Sequence, residues 1–150
     1  MKTNNLIQYS ENKASQNDIF EHLKWCNEQF IPKLSEKVTI LDYSKKIFEK
    51  AICFEAFDNQ VLVGLVAAYN NTENNFLFIT NVSVIKQNIG QGIAKQLIKN
   101  SIDFAQKNNI NSIQLEVDKN NSKAIQLYEK MNFSLENENE QSLFLNYKNK

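Results

Sequence analysis

The chain of 150 residues predicts a single α/β domain with a mixed sheet. Three observations carry this. Strand-length apolar runs follow one another closely between Ala51 and Ile85; a long amphipathic helix comes directly after them; and strand-like and helix-like segments then alternate to the C-terminus. At 42% hydrophobic and 11% aromatic content the chain can bury one core, and no repeat or linker divides residues 1–150.

The elements follow in order. Leu6–Tyr9 reads as a short first strand. Gln16–Phe30 reads as a helix, stopped by Pro32, which lacks a backbone N–H and clashes with a preceding turn. Asp42 is a plausible N-cap for a second helix running to Glu49. Then come three strands, "AICFEAF" (Ala51–Phe57), "VLVGLVAAY" (Val61–Tyr69) and "FLFITNVSVI" (Phe76–Ile85). The connections "DNQ" and "NNTENN" are short and Asn-rich, so these strands are antiparallel neighbours. From Ile93, at about 100° per residue, Ile93, Ala94, Leu97, Ile98, Ser101, Ile102, Phe104 and Ala105 share one half of a helical wheel. Lysines and polar residues fill the other half, as in a helix lying on a sheet. "SIQLEVD" (Ser112–Asp118) is the next strand, Ser122–Lys130 the next helix, and strands near Phe133–Leu135 and Ser142–Tyr147 close the chain.

Composition excludes several classes. Formal net charge is zero and the pI is near 6.6, so no broad field serves nucleic acid or an anionic membrane. The N-terminal "MKTNNLIQYSENK" has no apolar signal region, and the longest apolar run, Val61–Tyr69, is too short to span a bilayer. A cytoplasmic protein is expected. Cys26 and Cys53 have no metal-ligand spacing and read as free thiols; no metal site is expected. His22, the single histidine, lies on a polar stretch and is expected at the surface. Every basic residue is Lys, so an anion must be held by backbone N–H groups or by Lys rather than by a guanidinium fork.

Two of the chain's three glycines, Gly90 and Gly92, sit where a strand gives way to the helix beginning at Ile93. A helix N-terminus has unpaired N–H groups and a dipole that favours anions, and glycine removes the Cβ that would hold a phosphate away. A tight turn needing positive φ would account for the same residues. A Walker-type GK[ST] is absent, and Lys95 stands where a dinucleotide fingerprint needs its third glycine.

Strand, "IGQGIA" and amphipathic helix together resemble the acetyl-CoA pyrophosphate loop of the GNAT superfamily of N-acetyltransferases, whose pattern is Q/R-x-x-G-x-G/A. The pattern is laid on Ile89, Gly90, Gln91, Gly92, Ile93 and Ala94, with Ile89 departing from Gln or Arg. "NSKAIQLYEKMNF" (Asn121–Phe133) resembles the second signature, N-x-x-A-x-x-L-Y-x-x-x-G-F, with Asn132 in the glycine position; Asn tolerates the left-handed conformation of a helix end. The resemblance covers about Ala51–Phe133. It implies a mostly antiparallel sheet in which strand Phe76–Ile85 splays from strand Ser112–Asp118, and acetyl-CoA as co-substrate.

It also implies roles. Tyr128 would protonate the leaving CoA thiolate, although Ala124, Leu127, Tyr128 and Met131 equally form a packing stripe. Strand Phe76–Ile85 holds no acidic residue, and Phe78 occupies the usual site of a general base. Glu116 is the remaining carboxylate, twelve residues before Tyr128, as in bacterial protein N-terminal acetyltransferases; a water chain is the alternative base. Val82, Ser83 and Val84 match backbone contacts to the pantetheine arm, and Asn121 matches a side-chain contact to it. Lys95, Lys123 and Lys130 are the lysines available to an outer phosphate. Acceptor choice falls to Gln29–Asp42 and Asn132–Tyr147. The expected acceptor is a small amine or amino sugar, with a peptide amine and a non-catalytic CoA-binding module as alternatives. A homodimer stays open, since nothing in the sequence sets the oligomeric state.

Overall fold

The computed structural model describes residues 6–149. A seven-stranded sheet runs in the order β1-β2-β3-β4-β5-β7-β6, with β1 Gln8–Glu11, β2 Ile52–Asp58, β3 Val61–Asn71, β4 Phe76–Val84, β5 Ser112–Asp118, β6 Ser134–Glu138 and β7 Ser142–Lys148. Every pair is antiparallel except β4 with β5. That parallel pair is joined by a crossover helix, α4 (Ile93–Lys107), as parallel neighbours require. Helices α1 (Gln16–Cys26) and α3 (Ile40–Lys50) cover one face; α4 and α5 (Ser122–Lys130) cover the other. The predicted mixed α/β architecture is borne out.

The two faces carry two cores. Ile19, Leu23, Ile47, Leu62, Leu65 and Ala67 meet under α1 and α3, whereas Val63, Val66, Leu77, Ile93, Leu97, Ile98, Ile113 and Leu115 meet under α4. Gly64 lets α4 approach closely: a Cβ there would lie 2.6 Å from Ile93 Cγ2.

Several boundaries move. The first strand begins at Gln8 rather than Leu6. The first helix ends at Cys26, where a single 3-10 turn, Asn27–Gln29, replaces its expected continuation to Phe30. A one-turn helix, α2 (Leu34–Lys37), intervenes, and α3 starts at Ile40, so Asp42 lies in its first turn instead of capping it. The abundance of Asn in a glycine-poor chain has a structural use. Among the described residues six non-glycine residues have positive φ, and five of them are Asn: Asn12, Asn59, Asn75, Asn109 and Asn132. A short polar side chain makes Asn the least costly substitute for glycine in that region.

Candidate active site

The site originates in an interrupted pairing. Strands β4 and β5 run together from Phe76↔Ser112 to Ile79↔Leu115 and then part. At the same point β4 carries a bulge against β3: Ala67 faces Asn81 and Ala68 faces Ile79, so Thr80 is the extra residue. A bulge bends and twists its strand, which turns β4 away from β5. Tyr43 of α3 holds the bulge, donating its hydroxyl to the Thr80 carbonyl at 2.7 Å, with Thr80 Oγ1 2.8 Å away. The resulting fork opens a cleft of about 500 Å³.

Glu116 and Tyr128 both line this cleft, as do Val82, Asn121, Thr80, Asn81 and the apolar corner Phe30–Pro32. They approach from opposite faces. Along β5, Ile113, Leu115 and Val117 join the core under α4, so Glu116 belongs to the other face, where it is exposed. Tyr128 rises from α5 on the α4 side and is 7% exposed. Burial pushes its phenol above its usual range, so it stays protonated at neutral pH. Its position is held by a left-handed helix end: Phe133 N–H donates to the Tyr128 carbonyl (3.0 Å), Asn132 N–H donates to the Glu129 carbonyl (3.0 Å), and Asn132 has φ +71°. The Tyr128 and Phe133 rings pack with centroids 5.9 Å apart. Asn121 caps α5, its side chain accepting from Ala124 N–H at 3.3 Å.

The remaining predicted residues lie elsewhere. Val84 is buried, and Ser83 is buried with its side chain turned towards α1. Ile89, Gly90, Gln91, Gly92, Ile93 and Ala94 do not line the cleft; Ile89–Gly92 form the turn that follows β4 and the 3-10 turn Lys86–Asn88, and Ile93 and Ala94 open α4. Gly90 (φ +90°) and Gly92 (φ +77°) are both left-handed. Gly92 caps α4 with no side-chain hydrogen bond, and the first turn holds no acidic residue. The first N–H groups of α4 therefore have no side-chain partner, and a Cβ at Gly90 or Gly92 would meet nothing within 4 Å; an uncapped helix N-terminus of this kind favours an anion. Lys95, Lys123 and Lys130 are all exposed.

These dihedral angles also bear on the loop's register. The pattern Q/R-x-x-G-x-G/A fits the chain two residues earlier as well, as Gln87-x-x-Gly90-x-Gly92. In that register both glycine positions fall on left-handed residues, whereas the later one puts its last position on Ala94, inside α4. The earlier register has no departure at its first position. Gln87, at that first position, is exposed in the 3-10 turn Lys86–Asn88 and is not among the residues expected from the sequence.

His22 is a correction. It is 2% exposed, not superficial, and its Nδ1 and Nε2 lie 2.9 Å from the Leu62 carbonyl and 2.8 Å from Ser83 Oγ. Burial lowers its pKa to about 4, against the opposing effect of its hydrogen bonds. It sits on the inner stripe of α1 with Ile19, Leu23 and Cys26.

Residues 16–133 match the model of the acetyltransferase (GNAT) family. The chain belongs to that family. Among relatives, a streptothricin acetyltransferase of Escherichia coli is 34% identical over 87 residues, which is 58% of this chain and 49% of that protein. The chain thus aligns with about half the length of that relative. Solved GNAT structures share the fold. The PaiA N-acetyltransferase of Thermoplasma acidophilum, in complex with coenzyme A, superposes with a TM-score of 0.77 at 16% identity, covering 95% of this chain and 99% of that one. The ribosomal-protein-S18-alanine N-acetyltransferase of Escherichia coli superposes with a TM-score of 0.75 at 16% identity, covering 95% and 94%. Among the described residues no helix is long and apolar enough to cross a membrane, and no group of three or more potential metal ligands occurs.

Proposed function

We propose that this GNAT protein transfers an acetyl group from acetyl-CoA to the primary amine of a small molecule or amino sugar. The observation that carries the reading is the fork itself: a carboxylate and a buried phenol stand on opposite faces of one gap, and a bare helix N-terminus stands at the end of the same strand. Such a site suits an extended ligand with an anionic end at Gly90–Gly92 and a reactive end between Glu116 and Tyr128.

Acetyl-CoA supplies the acetyl group as a thioester. The N–H groups of Gly92, Ile93 and Ala94 hold the diphosphate, with Gln87 and Gln91 at its flank. Beyond Ile79 the backbone of β4 has no partner in β5, so alternate residues of Thr80–Val84 are free to pair with an amide-bearing arm; one N–H polarises the thioester carbonyl. Asn121 lies across the gap to meet the same arm. Glu116 takes the proton of the attacking nitrogen as the N–C bond forms. Tyr128 gives its proton to the departing sulfur as the C–S bond breaks. Glu116 then releases its proton to solvent and Tyr128 regains one, closing the balance.

The streptothricin acetyltransferase relative and the apolar corner Phe30–Pro32 over the cleft support a small acceptor. A peptide N-terminal amine is the second reading, favoured by the twelve-residue spacing between Glu116 and Tyr128.

Release of free thiol from acetyl-CoA tests the reading, with glucosamine, lysine and an alanyl peptide as acceptors. Tyr128→Phe should lower kcat about 100-fold, the scale of a lost general acid, with CoA affinity retained. An unchanged rate removes Tyr128 from the reaction. CoA binding without turnover on any amine makes the protein a binding module instead.

A further inference from the structure

Behind β4 lies a buried polar chain that the steps above leave unused. The Leu62 carbonyl can accept but not donate, so His22 Nδ1 carries the proton between them. Burial keeps the ring neutral. His22 Nε2 therefore accepts, and Ser83 Oγ–H donates to it at 2.8 Å. The Leu65 carbonyl likewise only accepts, which sets the orientation of the Asn81 amide: its Nδ2 donates to Leu65 O at 3.2 Å and to Ser83 Oγ at 2.9 Å. Both hydrogens of Asn81 are thereby used inward. Its Oδ1 is buried and has no partner, although the residue is 3% exposed and lines the cleft. A buried carbonyl oxygen without a donor is uncommon and costly.

The place of Asn81 in the fork bears on what that oxygen can do. Ile79↔Leu115 is the last rung of the fork, and Glu116 follows it on one arm. On the other arm Thr80 is the bulge residue, so Asn81 is the first residue beyond it. Asn81 and Glu116 thus open the two arms, and both belong to the sheet face covered by α1 and α3, opposite Tyr128.

We infer that Asn81 Oδ1 accepts one N–H of the attacking amine while Glu116 accepts the other, so that the pair selects primary amines and aims the nitrogen lone pair at the thioester carbon. The inference rests on the acetyl-transfer reading. A neutral primary amine has two N–H bonds and one lone pair; fixing both bonds directs the third. When the N–C bond forms, Glu116 removes one hydrogen as a proton, and the other remains as the product amide N–H, still bonded to Asn81. A secondary amine has a single N–H, which must go to Glu116, leaving Asn81 idle.

The experiment compares whichever of glucosamine, lysine and an alanyl peptide the wild type acetylates best with its N-methyl derivative. Asn81→Leu should lower kcat/KM for the primary amine about tenfold, the scale of a lost hydrogen bond at a desolvated site. The rate with the N-methyl amine should be unchanged or improved, and the KM for acetyl-CoA should be unaltered. An equal loss on both amines, or no loss on either, overturns the inference while leaving acetyl transfer intact. Should Asn81→Leu fail to bind CoA, Ser83→Ala is read in its place. It frees one hydrogen of the same amide and should narrow the preference about threefold; an unchanged preference overturns the inference. A wild type that acetylates none of the amines overturns the underlying reading, and this one with it.

Discussion

Protonation of His22 should destabilise the fold in mild acid. The imidazole has a folded pKa of about 4 because burial disfavours its charged form, whereas in an unfolded chain it returns to about 6.5. Below ~6.5 the unfolded state binds the extra proton first, so His22 contributes full stability above that value and loses it as pH falls towards 4. The interval of roughly 2.5 pH units corresponds to about 3 kcal/mol, and most of it, about 2 kcal/mol, is gone by pH 5. That is a large part of the ~5–15 kcal/mol that holds a domain together. The physical event is local. A second ring proton turns Nε2 into a donor against the Ser83 hydroxyl, which no longer has an acceptor on that side and must rotate away. Urea unfolding measured from pH 7 to pH 5 provides the assay, with His22→Gln as reference, since carboxylates titrating at lower pH affect both proteins. Stability of the wild type should fall by about 2 kcal/mol more than that of His22→Gln across this range. Parallel pH dependence in the two proteins would refute the buried neutral imidazole.

Three further perturbations follow from the packing and from the glycine turn. Gly64→Ala drives a Cβ to 2.6 Å from Ile93 Cγ2 and 3.2 Å from Leu97 Cδ1, and should cost about 1–3 kcal/mol as overpacking. Because Ile93 begins α4, CoA affinity should drop along with Tm; a Tm at or above the wild-type value would contradict the contact. Gly92→Val has no neighbour within 4 Å to meet, but its φ of +77° penalises a side chain, by about 1–2 kcal/mol or more for a β-branched residue. Isothermal titration should show weakened CoA binding, and unaltered affinity would remove this turn as the diphosphate site. Glu55→Leu strips the acceptor from Ser10 Oγ and from the N–H groups of Lys13 and Ala14, bonded at 2.7–3.0 Å. Loss of these bonds around a fully buried carboxylate should destabilise the fold by roughly 2–4 kcal/mol in urea unfolding.

Local pattern was most informative where an element's own residues decide its ends. Strand Ser112–Asp118 and helix Ser122–Lys130 are found at their expected bounds, because alternation, the Asn121 cap and the Asn132 stop are all short-range signals. His22 departs from its expected surface position for an identifiable reason. Its neighbours Glu21 and Lys24 are polar, yet Ile19, His22, Leu23 and Cys26 fall at the i, i+3, i+4, i+7 spacing of a buried stripe. The periodicity held the answer; a polar residue type masked it. Glu55 is different. Alternation in "AICFEAF" puts it beside Cys53 and Phe57, but only the N–H groups of a loop some forty residues away make its burial tolerable. No local signal announces that partner.

From the sequence alone come the strand and helix segments, the two-glycine turn before α4, and the family resemblance of residues around Tyr128. These rest on interactions within a turn or two of each residue. Tertiary structure decided the fork: the rung at which β4 leaves β5, the bulge at Thr80 held by Tyr43, and the two sheet faces from which Glu116 and Tyr128 enter one cleft. Strand register and the satisfaction of buried polar groups depend on partners distant in the chain, and a linear pattern does not specify which of the available partners will meet.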